Sequence, residues 1–85
     1  MTRMYDLRQK EIVNVEDGAR FGFVNDLEID PIDGRVIALI VPGPGRVLGV
    51  FGRDREYRIP WTMIDKIGDE IILVNCRTES VLVGN

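Results

Sequence analysis

Asp26, Glu28 and Asp30 stand at alternate positions in one short stretch, with Asp33 close behind. Alternation at period two puts the first three on one face of a strand. A row of carboxylates can hold a divalent cation, pair with arginines on neighbouring strands, or stand as a solvated acidic face. Successive same-face residues on a strand lie about 6.5–7 Å apart, so three of them spread over roughly 13 Å. A single Ca²⁺ takes about six to eight converging oxygens, and no EF-hand spacing is present. Asp26, Glu28 and Asp30 are therefore weak metal candidates. The solvated face is the preferred reading, and no cofactor is expected.

Catalytic machinery is equally sparse. The chain has no histidine, so the common near-neutral general base is missing. Ser80 is the only serine, and the only thiol, Cys76, has no imidazole to activate it. A glycosidase-like carboxylate pair needs a cleft, whereas a domain this small fills its interior with side chains. Gly43-Pro44-Gly45-Arg46 is glycine-rich, but Pro44 and the preceding Pro42 remove amides that would cradle a phosphate. Cys76 follows the apolar run Ile71-Ile72-Leu73-Val74 and reads as a small buried hydrophobe. The expectation is a protein that binds and is not an enzyme.

The elements that must position these residues belong to one domain spanning residues 1–85, with a core at about 6–75 and a less defined tail at 76–85. A domain of this size buries only about 60–65% of the surface of its unfolded chain, and a lone cysteine allows no internal disulfide. A core that small gains from a partner chain. Net charge is −3, and the basic residues are scattered among acids, which argues against direct nucleic-acid contact. The N-terminus lacks the apolar region of a signal peptide, and no apolar run approaches the roughly 20 residues that span a bilayer. A soluble, cytoplasmic protein with no membrane span is expected.

Glycine and proline punctuate short apolar runs, the pattern of an all-β barrel or sandwich. Asp6 to Lys10 suits one helical turn, and Glu11 to Val15 a first strand. Asp17-Gly18 is a hairpin signal. From Phe21 to Asp30 the residues alternate, with Phe21, Phe23, Leu27 and Ile29 on one face and Val24 with the acids on the other. Asn25 breaks the pattern and suggests a bulge or twist there. Asp30-Pro31-Ile32-Asp33-Gly34 is a turn. Arg35 to Val41 is apolar on both faces, so its second face must be covered by the rest of a barrel or by another subunit. Val47 to Phe51 is a further short apolar run, and Arg53 to Arg58 alternates in sign like a solvated turn. Pro60 marks a strand edge or end. The three-residue spacing of Trp61, Ile64 and Ile67 suits a short helical or 3₁₀ turn.

Three stretches in order carry a family resemblance: Asp17-Gly18-Ala19-Arg20-Phe21-Gly22-Phe23-Val24; Asp26-Leu27-Glu28-Ile29-Asp30 with Asp33-Gly34-Arg35 and Ala38-Leu39-Ile40-Val41; and Tyr57-Arg58-Ile59-Pro60-Trp61 with Ile64, Lys66-Ile67-Gly68 and Ile71-Ile72-Leu73-Val74. Together they resemble the PRC-barrel pattern over nearly the whole chain to about Val74. Leu7-Arg8-Gln9-Lys10-Glu11, Pro42-Gly43-Pro44-Gly45 and Phe51-Gly52-Arg53 are similar to the YlmC/YmxH sporulation-associated type. The resemblance implies a small β-barrel of about six strands and a role connected with sporulation. The photosynthetic reaction-centre H subunit and the ribosome-maturation factor RimM use the same fold as a docking module, which by analogy implies a protein partner.

Phe51, Tyr57 and Trp61 are the candidate partner interface, since aromatic residues anchor many interfaces. The simpler and preferred reading of Trp61 is that it caps the core beside Ile64 and Ile67, and Phe51 and Tyr57 carry the same ambiguity. The two-faced strand and the apolar tail suggest self-association, as a two-fold dimer, through Ile37, Leu39, Val41, Val81 and Val83. A RimM-like module docking on a basic ribosomal protein, and a purely self-assembling structural protein, are the alternative readings.

Overall fold

The computed structural model describes residues 2–43 and 55–84. A short helix α1 (Met4–Arg8) leads into β1 (Glu11–Asn14), β2 (Arg20–Phe23), β3 (Asp26–Ile29), β4 (Val36–Pro42) and β5 (Arg55–Pro60). A 3₁₀ turn (Trp61–Met63) follows, then β6 (Ile64–Ile67), β7 (Ile71–Val74), helix α2 (Thr78–Val81) and β8 (Leu82–Gly84). The class is all-β. The described strands form two four-stranded sheets, ordered β2-β1-β7-β6 and β3-β4-β5-β8. The strands beyond the expected six include β6, whose isoleucine spacing reads as a helical turn, and β8, in the tail.

Turn chemistry makes the local hairpins. Between β1 and β2, Gly18 N–H donates to the Asn14 carbonyl at 2.7 Å, and Asp17 Oδ1 accepts from Ala19 N–H at 2.9 Å. Between β3 and β4, Asp30 Oδ1 accepts from Ile32 N–H at 2.9 Å and Asp33 Oδ1 from Arg35 N–H at 3.0 Å, so both aspartates fold their own turn. Inside β2, Gly22 has φ +105°, a value that side-chain-bearing residues rarely adopt. It lies opposite Ile12, next to the register slip at Ile12/Val13.

The stretch Phe21–Asp30, which alternates like one strand, is two strands in different sheets. The chain crosses at Val24-Asn25, where Asn25 N–H donates to the Ile40 carbonyl at 2.7 Å. Phe21 and Leu27 keep to the core as the alternation predicts. Val24, at the crossing itself, turns inward and is buried at 4% exposure, while Phe23 and Ile29, at the ends of their strands, are 51% and 54% exposed, the reverse of the prediction. Arg55 to Arg58, expected as a solvated turn, is part of β5, because Tyr57 and Ile59 alternate inward onto the core.

One core joins the two sheets. Ile12, Phe21, Ile72 and Val74 from the first meet Leu39, Val41 and Ile59 from the second. Phe21 and Tyr57 pack ring on ring across the junction, with centroids 4.6 Å apart and a 59° tilt. In β4, Ala38 through Val41 are all buried, and the second face of this strand is covered from within the chain. Glu28 lies opposite Ala38 on β3, and Arg58 lies opposite Ile40 on β5. Arg58 Nε donates to Glu28 Oε1 at 2.7 Å. The ion pair therefore reaches across the middle strand, over the face that Ala38 and Ile40 share.

The tail is part of the fold. Leu82–Gly84 adds to the edge of β5, Tyr57 opposite Leu82 and Arg55 opposite Gly84, and Val81 is buried.

Candidate functional site

Strand β5 organises the candidate interface. It runs antiparallel to β4 with Ala38 opposite Pro60, and Pro60, lacking a backbone donor, ends the strand. The chain tightens at once into the 3₁₀ turn that Trp61 opens. Trp61 is left 37% exposed, a large aromatic held at the surface by a stiff Pro-Trp junction.

The three aromatic candidates separate. Tyr57 is half-buried and packs against Phe21 and the core, so it is a packing residue. Trp61 carries exposed surface. Phe51, like the apolar run Val47–Phe51 that contains it, lies outside the described residues.

The candidates for self-association divide as well. Leu39, Val41 and Val81 are buried in the chain's own core and present no surface to a second copy. Their apolar pattern reflects two sheets sharing one core. Ile37 and Val83 remain partly exposed.

The carboxylates do not converge. Asp26 Oδ1 accepts from Leu27 N–H at 2.8 Å, Glu28 is held by Arg58, and Asp30 serves its turn. Of the three readings of this row, the pairing with an arginine on the same sheet describes Glu28. Among the described residues no group of three or more His, Cys, Asp or Glu side chains is placed to hold a metal ion.

Cys76 is buried. Burial pushes its thiol up from the ordinary range, and the Asp17 and Glu16 carboxylates add to the shift. That is the environment of a thiol kept protonated and unreactive.

Two anchoring residues escape a reading by residue type. Asn14 is a fully buried polar side chain. Its Nδ2 donates to the Cys76 carbonyl at 2.7 Å, and its Oδ1 accepts from the N–H groups of Cys76 at 3.3 Å and Glu16 at 3.2 Å. The available signal is phase: Asn14 shares the inward phase of Ile12, where a polar residue must find partners. Lys10 Nζ donates to the carbonyls of Gly68 and, at 3.0 Å, Asp69, tying the start of β1 to the β6–β7 turn.

A two-sheet all-β domain with one shared core, a sealed thiol and an exposed tryptophan beside a proline-ended strand is a small β module. This chain belongs to the PRC-barrel family: the PRC-barrel domain model matches residues 1–80. It is 40% identical over 74 residues to a Bacillus subtilis protein named "Probable sporulation protein YlmC", covering 87% of this chain and 91% of that one. It is 34% identical over 79 residues to B. subtilis YmxH, covering 91% and 92%. A Clostridium acetobutylicum protein is 38% identical over 69 residues, covering 81% and 78%. Among the described residues no helix is long and apolar enough to cross a membrane.

Proposed function

We propose that this PRC-barrel chain is a non-enzymatic protein-binding module of the cytoplasm, that it acts in sporulation, and that it self-associates as a dimer. Trp61 is the anchor for the partner. The observation that carries the reading is the exposure of this tryptophan at the end of β5, since tryptophan dominates interface energetics when a partner covers it. The sporulation role is supported by the name of the 40%-identical B. subtilis relative. The non-enzymatic reading is supported by the lack of histidine and by the buried thiol with its raised pKa.

The test is affinity capture of the protein from its own cells in vegetative growth and in sporulation, with the captured proteins identified by mass. A partner present only in sporulating cells supports the reading. Ribosomal proteins in both conditions would point to ribosome maturation instead, and recovery of the chain alone would point to self-assembly as its sole role.

A further inference from the structure

Two surface features of this chain are complementary. The first is the end of the β3–β4 hairpin. The register slips between Glu28 and Ile29, leaving Ile37 as the extra residue beside the Ile29–Val36 pair. Ile29 is 54% exposed and Ile37 40%, and Ile32 at the turn is 92% exposed. Single exposed apolar residues are ordinary, whereas three exposed isoleucines on one hairpin concentrate apolar surface at this end of the sheet. Asp30 and Asp33 flank Ile32 at the turn.

The second feature is an open groove of about 490 Å³ between α1 and β2, lined by Met4, Tyr5, Arg8, Gln9, Phe23 and Val24. Tyr5 and Phe23 expose aromatic surface there. Arg8 makes no ion pair among the described residues. The groove thus offers apolar walls and a cation, and the hairpin offers an apolar knob and two carboxylates, of which Asp33 stands in a loose, exposed pair with Arg35 at 3.7 Å that a second cation can share.

We propose that two copies of this chain associate reciprocally, each seating its Pro31-Ile32 hairpin tip in the α1–β2 groove of the other, with Arg8 facing Asp33. The proposal rests on the dimer advanced above and supplies its surface. It moves that surface away from Leu39, Val41 and Val81, which are buried, and keeps Ile37 at its margin. Two knob-in-groove contacts make a small interface, so the pair is a weak one whose population depends on concentration.

The experiment is sedimentation equilibrium of the full chain from about 5 μM to 1 mM. It compares wild type with Ile32→Asp, Arg8→Glu, Asp33→Arg and the double variant Arg8→Glu/Asp33→Arg, each checked for an intact fold by thermal melting. The expected result is a wild-type monomer–dimer equilibrium. Ile32→Asp weakens it about a hundredfold. Either single charge reversal weakens it about tenfold, and the double reversal restores it. A wild-type chain that stays monomeric throughout overturns both this proposal and the dimer. A dimer that Ile32→Asp and Arg8→Glu leave unchanged overturns this surface alone. A mass that climbs past the dimer overturns the reciprocal arrangement.

Discussion

The side chain of Asn14 and the backbone of Cys76 exchange two hydrogen bonds, Nδ2 to the Cys76 carbonyl at 2.7 Å and Cys76 N–H to Oδ1 at 3.3 Å. Asn14 thereby imitates one more rung of a strand ladder beyond the parallel pairing of β1 with β7, which ends at Asn14 opposite Val74. This clasp holds the start of the tail that continues into α2 and β8. Asn14→Ala leaves the Cys76 N–H and carbonyl buried without partners. It is expected to cost about 2–3 kcal/mol in urea unfolding and about 10–20 °C in Tm. Asn14→Asp should be no better, because a carboxylate cannot donate to the Cys76 carbonyl.

Cys76 gives a pH signature. Its folded-state pKa is raised, first by burial and then by Asp17 and Glu16. The folded protein therefore holds the thiol proton more tightly than the unfolded chain does. The contribution to stability is fully present below the ordinary thiol pKa, and it declines as pH rises above about 8.5. Urea midpoints of wild type and Cys76→Ser across pH 7 to 10 check this: the wild type should show the steeper alkaline loss. At neutral pH a disulfide reagent should label the native thiol at least about a hundredfold more slowly than the denatured one.

Gly43 sits where another backbone passes. Its N–H donates to the Arg55 carbonyl at 2.8 Å, and a Cβ added there would lie 2.7 Å from that same oxygen. Because the obstruction is backbone, it cannot rotate away. Gly43→Ala should push β4 and β5 apart at this end and cost about 1–3 kcal/mol in chemical denaturation. Substituting Gly18, where an added Cβ meets nothing within 4 Å but φ is +74°, isolates the cost of backbone conformation alone.

The Glu28–Arg58 pair lies over Ala38 and Ile40, and both side chains are more than a third exposed. Its charge–charge part is therefore small. Glu28→Gln is expected to cost under about 1 kcal/mol, and less in high salt. Arg58→Ala should cost more, about 1–2 kcal/mol, because it also removes the aliphatic stem beside Ile40. A double-mutant cycle by urea unfolding separates the two contributions.

How far the sequence leads is clearest at particular residues. Asp17-Gly18 and Asp30-Pro31-Ile32-Asp33-Gly34 make their turns with their own side chains, so local chemistry announces those hairpins. The unbroken apolar run to Val41 correctly implies a strand covered on both faces. Nothing local distinguishes cover by another subunit from cover by an ion pair thrown across from β3 to β5. For the same reason Leu39, Val41 and Val81 read equally as interface and as core. The parallel partnership of Ile12 with Ile72 joins strands separated by most of the chain, and neither segment carries a mark of the other. Asn25 breaks the alternation where the chain changes sheets, but a break of that kind reads as a bulge or twist within one strand and carries no sign of a second sheet. Tyr57 reads as an interface aromatic until the Phe21 ring is placed against it.

Whether Trp61 anchors a protein partner is decided by quantitative capture from sporulating cells with wild-type protein and with Trp61→Ala, alongside thermal melts of both. With Trp61 as the anchor, Trp61→Ala stays folded, with Tm lowered by no more than about 8 °C, and loses the partner recovered with wild type. A Trp61→Ala protein that unfolds, or one that recovers the same partner in the same yield, would contradict it.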